Sequence, residues 1–163
     1  MKEKDINIKI NDYILNARAV AIIIENNKIL FQKRKQDKFW ALPGGKIQIG
    51  ETSKKTIKRE LHEELGIKDF KIIRIHSISE HFFTFEKEKY HQYIFSYIVK
   101  LKDKKDLLEN EMFEGIEQQE NLIFKWLDIN TLNEMPIKPD FLKEDLLNLG
   151  SKQVIFNIHI ENK

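Results

Sequence analysis

Residues 45–67 read GKIQIGETSKKTIKRELHEELGI, and the spacing of charges in this stretch decides the element it forms and the fold around it. No glycine or proline interrupts residues 52–65, and glycines stand at 50 and 66. Ile57, Leu61 and Leu65 recur every fourth residue, the period of one helix face. The spacing predicts a helix over 52–65, with Glu51 or Thr52 serving near its start and Gly66 just past its end. On that helix Arg59, Glu60, Glu63 and Glu64 lie three and four residues apart and share one side. Glu60 and Glu64 each precede an apolar position, which puts them at the margin of the buried stripe, where a cleft can form. Three crowded carboxylates repel one another at neutral pH unless a cation sits among them. Oxygen-only ligands select a hard ion, Mg²⁺ with Mn²⁺ as the alternative. An ion held by carboxylates most often serves phosphate chemistry.

Outward from the helix, the pattern is that of strands. Residues 6–10 alternate and suit a short edge strand. A nearly continuous apolar run over 18–25, the pair Asn26-Asn27 and then KILFQK over 28–33 signal a hairpin. Residues 36–40 form a loop leading into Pro43-Gly44-Gly45. Long β-rich segments follow at 71–85 and 89–101, with a turn near 87–88. That turn would set Phe82 opposite Tyr93 and Thr84 opposite His91, with Phe83 and Phe85 on the other face. LIFKWLD (122–128) is a further strand, 139–149 a second helix with proline at an early position, and 154–160 a last strand. Strands on both sides of one central helix, with a late second helix, predict an α/β fold, an α/β/α sandwich with a mixed sheet. Residues 1–163 show no linker or repeat, and a single domain is expected.

The motif also carries a resemblance. Gly45, Glu51, Arg59, Glu60, Leu61, Glu63, Glu64, Gly66 and Ile67 fit the signature of the Nudix (MutT-like) hydrolases, G-x5-E-x7-R-E-U-x-E-E-x-G-U, with U aliphatic. All nine positions match, a coincidence expected on the order of once per billion start positions from average residue usage. Trp40-Ala41-Leu42-Pro43-Gly44 is also similar to the approach to this motif in many members. The resemblance implies a Nudix-type sandwich with one catalytic helix and a metal-dependent pyrophosphohydrolase. Glu60, Glu63 and Glu64 would be ligands, with Gly44 or Gly45 adding a carbonyl, Arg59 fixing a neighbouring carboxylate, and Glu51 supporting the loop. It implies a further carboxylate from a later loop, for which Glu117 and Glu120 are best placed. The base is then open between Glu60, Glu63 and that loop. The proline, tyrosine and upstream patterns that often mark ADP-ribose, dinucleoside-polyphosphate and coenzyme-A subfamilies are missing, which leaves a nucleoside triphosphate or related nucleoside diphosphate derivative as substrate.

Aromatic residues are dense over 80–97, and mostly suit core packing. Phe39, Trp40, Phe83 and His81 are the candidates for contact with substrate. His76, His81 and His91 have no zinc spacing.

Composition bounds the rest. Twenty-eight basic and 26 acidic residues give a net charge of +2, so no global field draws the chain to nucleic acid or membrane. There is no cysteine, which removes disulfides, thiolate chemistry and zinc–thiolate sites, and also the diphosphate isomerases of the same fold, which need a catalytic cysteine. The start has no apolar stretch of signal-peptide length, and a cytoplasmic enzyme, monomeric or homodimeric, is expected. The rival reading is a non-catalytic Nudix-like sensor module; such modules usually lose motif glutamates, and here every one is present.

Overall fold

A computed structural model describes residues 4–103 and 105–161. The central helix α1 runs Ser53–Leu65. Thr52 caps it, its hydroxyl accepting from the Lys55 N–H. Gly66, at φ 68°, ends it by donating to the His62 carbonyl while Ile67 donates to Leu61. Ile57 and Leu61 are fully buried.

The strand β2 (Tyr13–Glu25) organises the sheet. It begins five residues before the apolar run that announces it. Along one side it pairs antiparallel with β1 (Asn7–Ile10), β4 (Gly44–Lys46) and β3 (Lys28–Arg34) in turn. Along the other it runs parallel to β6 (Glu88–Leu101). Beyond β6 lie β5 (Phe70–Phe85), antiparallel, and β9 (Ile155–Ile160), parallel to β5. On the far side β3 pairs with β8 (Leu122–Asp128), and β8 with β7 (Met112–Glu114). The sheet is mixed, as expected.

Alternation along β2 builds two cores. Ala19, Ala21 and Ile23 face α1 with Ile57, Leu61, Tyr97 and Phe124. Val20 and Ile22 face the other way, toward Phe31, Trp40, Leu42 and the short helix α3 (Leu142–Leu147). A short helix α2 (Lys105–Leu108) and a 3-10 helix (Ile129–Glu134) complete the connections. At roughly 25 cal/mol per Å² of apolar area, two full cores of this kind supply the main drive for folding.

Two expectations are corrected. The second helix is shorter than 139–149: Pro139 precedes it, and Leu142 opens it through a turn that donates to the Pro139 carbonyl. The β5–β6 turn sits at Glu86-Lys87, φ 49° and 68°, one position before the predicted site. Phe82 therefore pairs with His91 and Glu80 with Tyr93. Moving a two-residue turn by one position shifts pairing by two, which leaves every side chain on its face, so alternation alone cannot register the difference. The Asn26-Asn27 turn, with φ 50° and 62°, is as predicted. The short strands β4 and β7 carry no sequence alternation and were not anticipated.

Candidate active site

The glycine loop and α1 meet at Arg59. Its guanidinium spans four groups: Nε and Nη2 each donate 3.0 Å bonds to the two Glu51 oxygens, Nη2 donates to the Lys46 carbonyl at 3.0 Å, and Nη1 reaches Glu60 Oε1 at 2.6 Å and Glu63 Oε2 at 3.4 Å. Glu51 also accepts from the Gln48 N–H and the Thr56 hydroxyl. Burial pushes the Glu51 carboxyl up, yet these hydrogen bonds outweigh it and hold the group below the usual carboxylate range. Glu51 thus ties the loop to the helix through Arg59. Gly45 pairs with Ala19 across β4 and β2, and a Cβ at Gly45 would overlap the Glu60 carboxylate. Only a residue without a side chain lets that carboxylate lie against the loop.

Glu64 lies deepest. It is 5% exposed, and its Oε2 is buried without a hydrogen-bond partner. Burial raises its pKa to about 9, with the charges of Glu60, Glu117 and Glu120 adding to the rise and Arg18 opposing it. Glu60 is raised by the same burial, partly offset by Arg59. An isolated helix-surface glutamate would behave otherwise; these carboxylates share one low-dielectric corner and repel. Among the described residues no three His, Cys, Asp or Glu side chains stand close enough to hold an ion as they are arranged. Arg59 draws Glu60 and Glu63 to itself. The donor chemistry nonetheless fits a divalent cation: the orphaned Glu64 oxygen lacks a positive partner, and its neighbours are carboxylates.

A tether brings the later loop to this corner. Ile116 N–H donates to the Glu64 carbonyl at 2.9 Å, and Gly115 N–H to the Leu122 carbonyl at 3.0 Å. A Cβ on Gly115 would stand 2.9 Å from the Phe124 ring and 3.0 Å from the Glu64 carbonyl, so glycine permits the approach. Glu117 is raised by burial and by the charges of Glu120 and Glu63, while Arg59 opposes. Glu120 is committed to Arg34 at 2.9 Å. Of the two loop candidates, Glu117 is the one whose electrostatic neighbours include Glu63 and Arg59.

The four proposed substrate contacts do not converge. Trp40 is 7% exposed and belongs to the α3-side core, with Lys33 Nζ over its ring. Neighbouring Phe39 is half-buried. His81 is buried, Nε2 bonded to Glu161 at 2.9 Å and its ring stacked on Phe83. Phe83 is half-buried between His81 and Tyr90. The sheet register puts His81 and Phe83 on the α3 face, across the sheet from α1. Arg18 escaped the sequence reading. It opens the apolar run of β2, is half-buried, and feels both Glu60 and Glu64; burial lowers its pKa, and those two carboxylates counter the fall. A lone arginine heading an apolar strand, in a chain with only four arginines, was the available signal. On the same α3 face, Asn16 Oδ1 and the hydroxyls of Ser77, Ser79 and Ser96 are buried without partners. Ser79 shares a row of the sheet with Arg18 through Ile94.

Comparison with known proteins identifies the family and the fold. The chain matches the NUDIX domain family over residues 15–145. It is 42% identical over 77 residues to an 8-oxo-dGTP diphosphatase of Escherichia coli (strain K12), covering 44% of this chain and 52% of that protein. It is 44% identical over 71 residues to an ADP-ribose pyrophosphatase of Methanocaldococcus jannaschii, covering 41% of each. The chain thus spans about half the length, or less, of these two relatives. In fold it is similar to the crystal structure of the mutator MutT protein from Bacillus halodurans, with TM-score 0.64 at 19% identity over 88% of this chain and 89% of that one. A match that covers most of the chain, including nearly all of β2, the glycine loop and α1, establishes that the protein belongs to the NUDIX family.

Proposed function

We propose that the chain is a divalent-cation-dependent Nudix hydrolase. It cleaves a pyrophosphate bond in a nucleoside triphosphate or a related nucleoside diphosphate derivative. The observation that carries this reading is Glu64: a buried carboxylate oxygen without a partner, beside Glu60 and within the field of Glu117 and Glu120. Glu60, Glu63 and Glu64 would hold the cation, Mg²⁺ or Mn²⁺, with the Gly45 carbonyl beside them and Glu117 as the carboxylate from the loop. A cation bound there would offset the charge of the diphosphate and lower the pKa of a bound water. The residues do the rest. Arg59 fixes the directions of Glu60 and Glu63, and Glu51 fixes Arg59. Glu63 or Glu117, both nearer the surface than Glu64, would accept the proton of the attacking water. Arg18 supplies positive charge beside the acids for a phosphate. No helix among the described residues is long and apolar enough to cross a membrane, and a cytoplasmic enzyme acting on small molecules is the reading we retain.

The test is a phosphate-release screen of purified protein against nucleoside triphosphates, nucleotide sugars, ADP-ribose and dinucleoside polyphosphates. At least one substrate should turn over with Mg²⁺, lose turnover in EDTA and regain it when Mg²⁺ is restored. Cleavage indifferent to chelation would exclude the metal reading; tight nucleotide binding with no cleavage would make this a sensor module.

A further inference from the structure

The sheet outruns the helix that covers it. α1 has 13 residues, a length of about 20 Å, whereas β5 has 16 and extends on the order of 50 Å. Toward the Glu86-Lys87 turn the two faces of the sheet differ. On the α3 face Asn16, Gln92 and His81, neighbours in one row, are all buried. On the α1 face the rows lie open.

Register assigns the open side chains to one surface. Ile8 pairs with Leu15, Leu15 with His91, His91 with Phe82 and Phe82 with Ile160, a row across five strands. Two residues along, Tyr93, Glu80 and Ile158 form the next row. These share the side of Ala17, Ala19 and Phe95, which face α1. On this face Leu15 and Phe82 are half-buried, and the other apolar side chains are exposed: Ile8 by 44%, Ile10 by 53%, Tyr13 by 44%, Phe156 by 63%, Ile158 by 56% and Ile160 by 68%. β9 inverts the usual order of a half-covered strand. Its apolar Phe156, Ile158 and Ile160 face out, while Asn157 bonds to Asp145 and His159 stacks on Phe141 beneath α3. A solvated sheet face ordinarily carries polar side chains.

The polar groups within the patch are already paired. Glu80 Oε1 receives Tyr93 Oη at 3.0 Å and lies 2.7 Å from His91 Nε2, and Phe82 stacks on His91 at 4.2 Å. They can lose water without losing partners. At the rim, charges alternate in sign over residues 86–89, and Lys9 pairs with Glu88 at 2.8 Å.

We propose that this face packs against the same face of a second copy about a two-fold axis. The exposed and half-buried side chains of the patch present on the order of 700–800 Å², close to the roughly 800 Å² that each partner of a standard interface buries. A twisted apolar sheet is matched in curvature by its own copy, and such faces pack about 10 Å apart. The rim carries both signs, which suits self-association; among the described residues it forms no one-signed basic collar of the kind that draws a helix or strand to anionic lipid. The acidic corner lies by β4, separated from Phe156 on β9 by the width of β2, β6 and β5, and the dimer stands or falls independently of the proposed hydrolysis.

Sedimentation equilibrium of the full chain over a concentration series tests this. Wild type should reach twice the 19.5 kDa chain mass. The double variant Ile158→Lys/Ile160→Lys should raise the dimer dissociation constant by at least about 100-fold, since each change occurs twice across the axis. Leu147→Lys, an exposed residue on the α3 side, should leave it unaltered. Circular dichroism verifies folding, and Ile8→Lys, on the opposite margin of the patch, replaces the double variant should that one not fold. A wild type that stays at monomer mass up to its solubility limit would overturn the proposal. So would dimers undiminished in Ile158→Lys/Ile160→Lys and Ile8→Lys, or a monomer that floats with phosphatidylcholine–phosphatidylglycerol vesicles.

Discussion

Glu64→Gln is expected to reduce turnover by about 10³-fold while making the chain without metal more stable. The two effects have one origin. As a cation ligand, Glu64 would contribute charge that an amide cannot supply, and loss of a metal's electrostatic role costs several kcal/mol of barrier. Without a cation the same charge is a burden, because burial and the neighbouring acids disfavour ionisation. The sign follows from the pKa. In the folded chain it lies at about 9, against an ordinary value of 4.5. Below 4.5 the carboxyl is protonated in both folded and unfolded chains, and the fold keeps its full stability. As pH rises from there toward 9 the unfolded chain ionises first, and stability falls. Glutamine removes that slope. Thermal unfolding in EDTA at pH 5 and pH 8 should show wild type losing more stability than the variant, by roughly 1–3 kcal/mol over the interval. A variant with undiminished turnover, or an equal loss of stability in both proteins, would contradict the assignment.

Gly45→Ala should also cost activity, by about 10²-fold, through geometry alone. The added methyl would occupy the space of the Glu60 carboxylate. Arg59 is held independently by both Glu51 oxygens and by Lys46, so the loop and helix keep their mutual position while Glu60 is expelled. Overpacking of this kind typically costs 1–3 kcal/mol of stability, about what a folded enzyme tolerates. The half-saturating Mg²⁺ concentration should rise more than the KM for nucleotide. Gly150→Ala, where nothing lies within 4 Å, serves as the neutral comparison. Equal Mg²⁺ activation in both variants would mean that Glu60 does not depend on the glycine.

The sequence revealed what is local. A 3.6-residue period, a capping threonine and a terminal glycine are written within α1, and the Asn26-Asn27 turn within its hairpin. Because i,i+3 and i,i+4 neighbours share a helix face, the acidic cluster was equally legible. What was hidden depends on distant segments. Trp40 and His81 look like surface recognition residues by type, yet α3 and its approach cover one and Phe141 packs edge-on against the other. Gly115 gives no sign by itself that it lets a loop reach the Glu64 carbonyl. Arg18 belongs to the site only because β4 and α1 carry the acids to the strand that bears it. The exposed rows of β9 depend on how far α1 extends over the sheet, which no strand reports.

Manganese binding, followed by the electron paramagnetic resonance signal of free Mn²⁺, tests the cation corner most directly, since it needs no knowledge of the substrate. Titrated into wild type with a non-hydrolysable nucleoside triphosphate analogue, Mn²⁺ should disappear from the free signal; with Glu64→Gln, the affinity should fall at least about 100-fold while the fold persists. Equal binding by the two proteins, or none by either, would contradict a cation site built on Glu64.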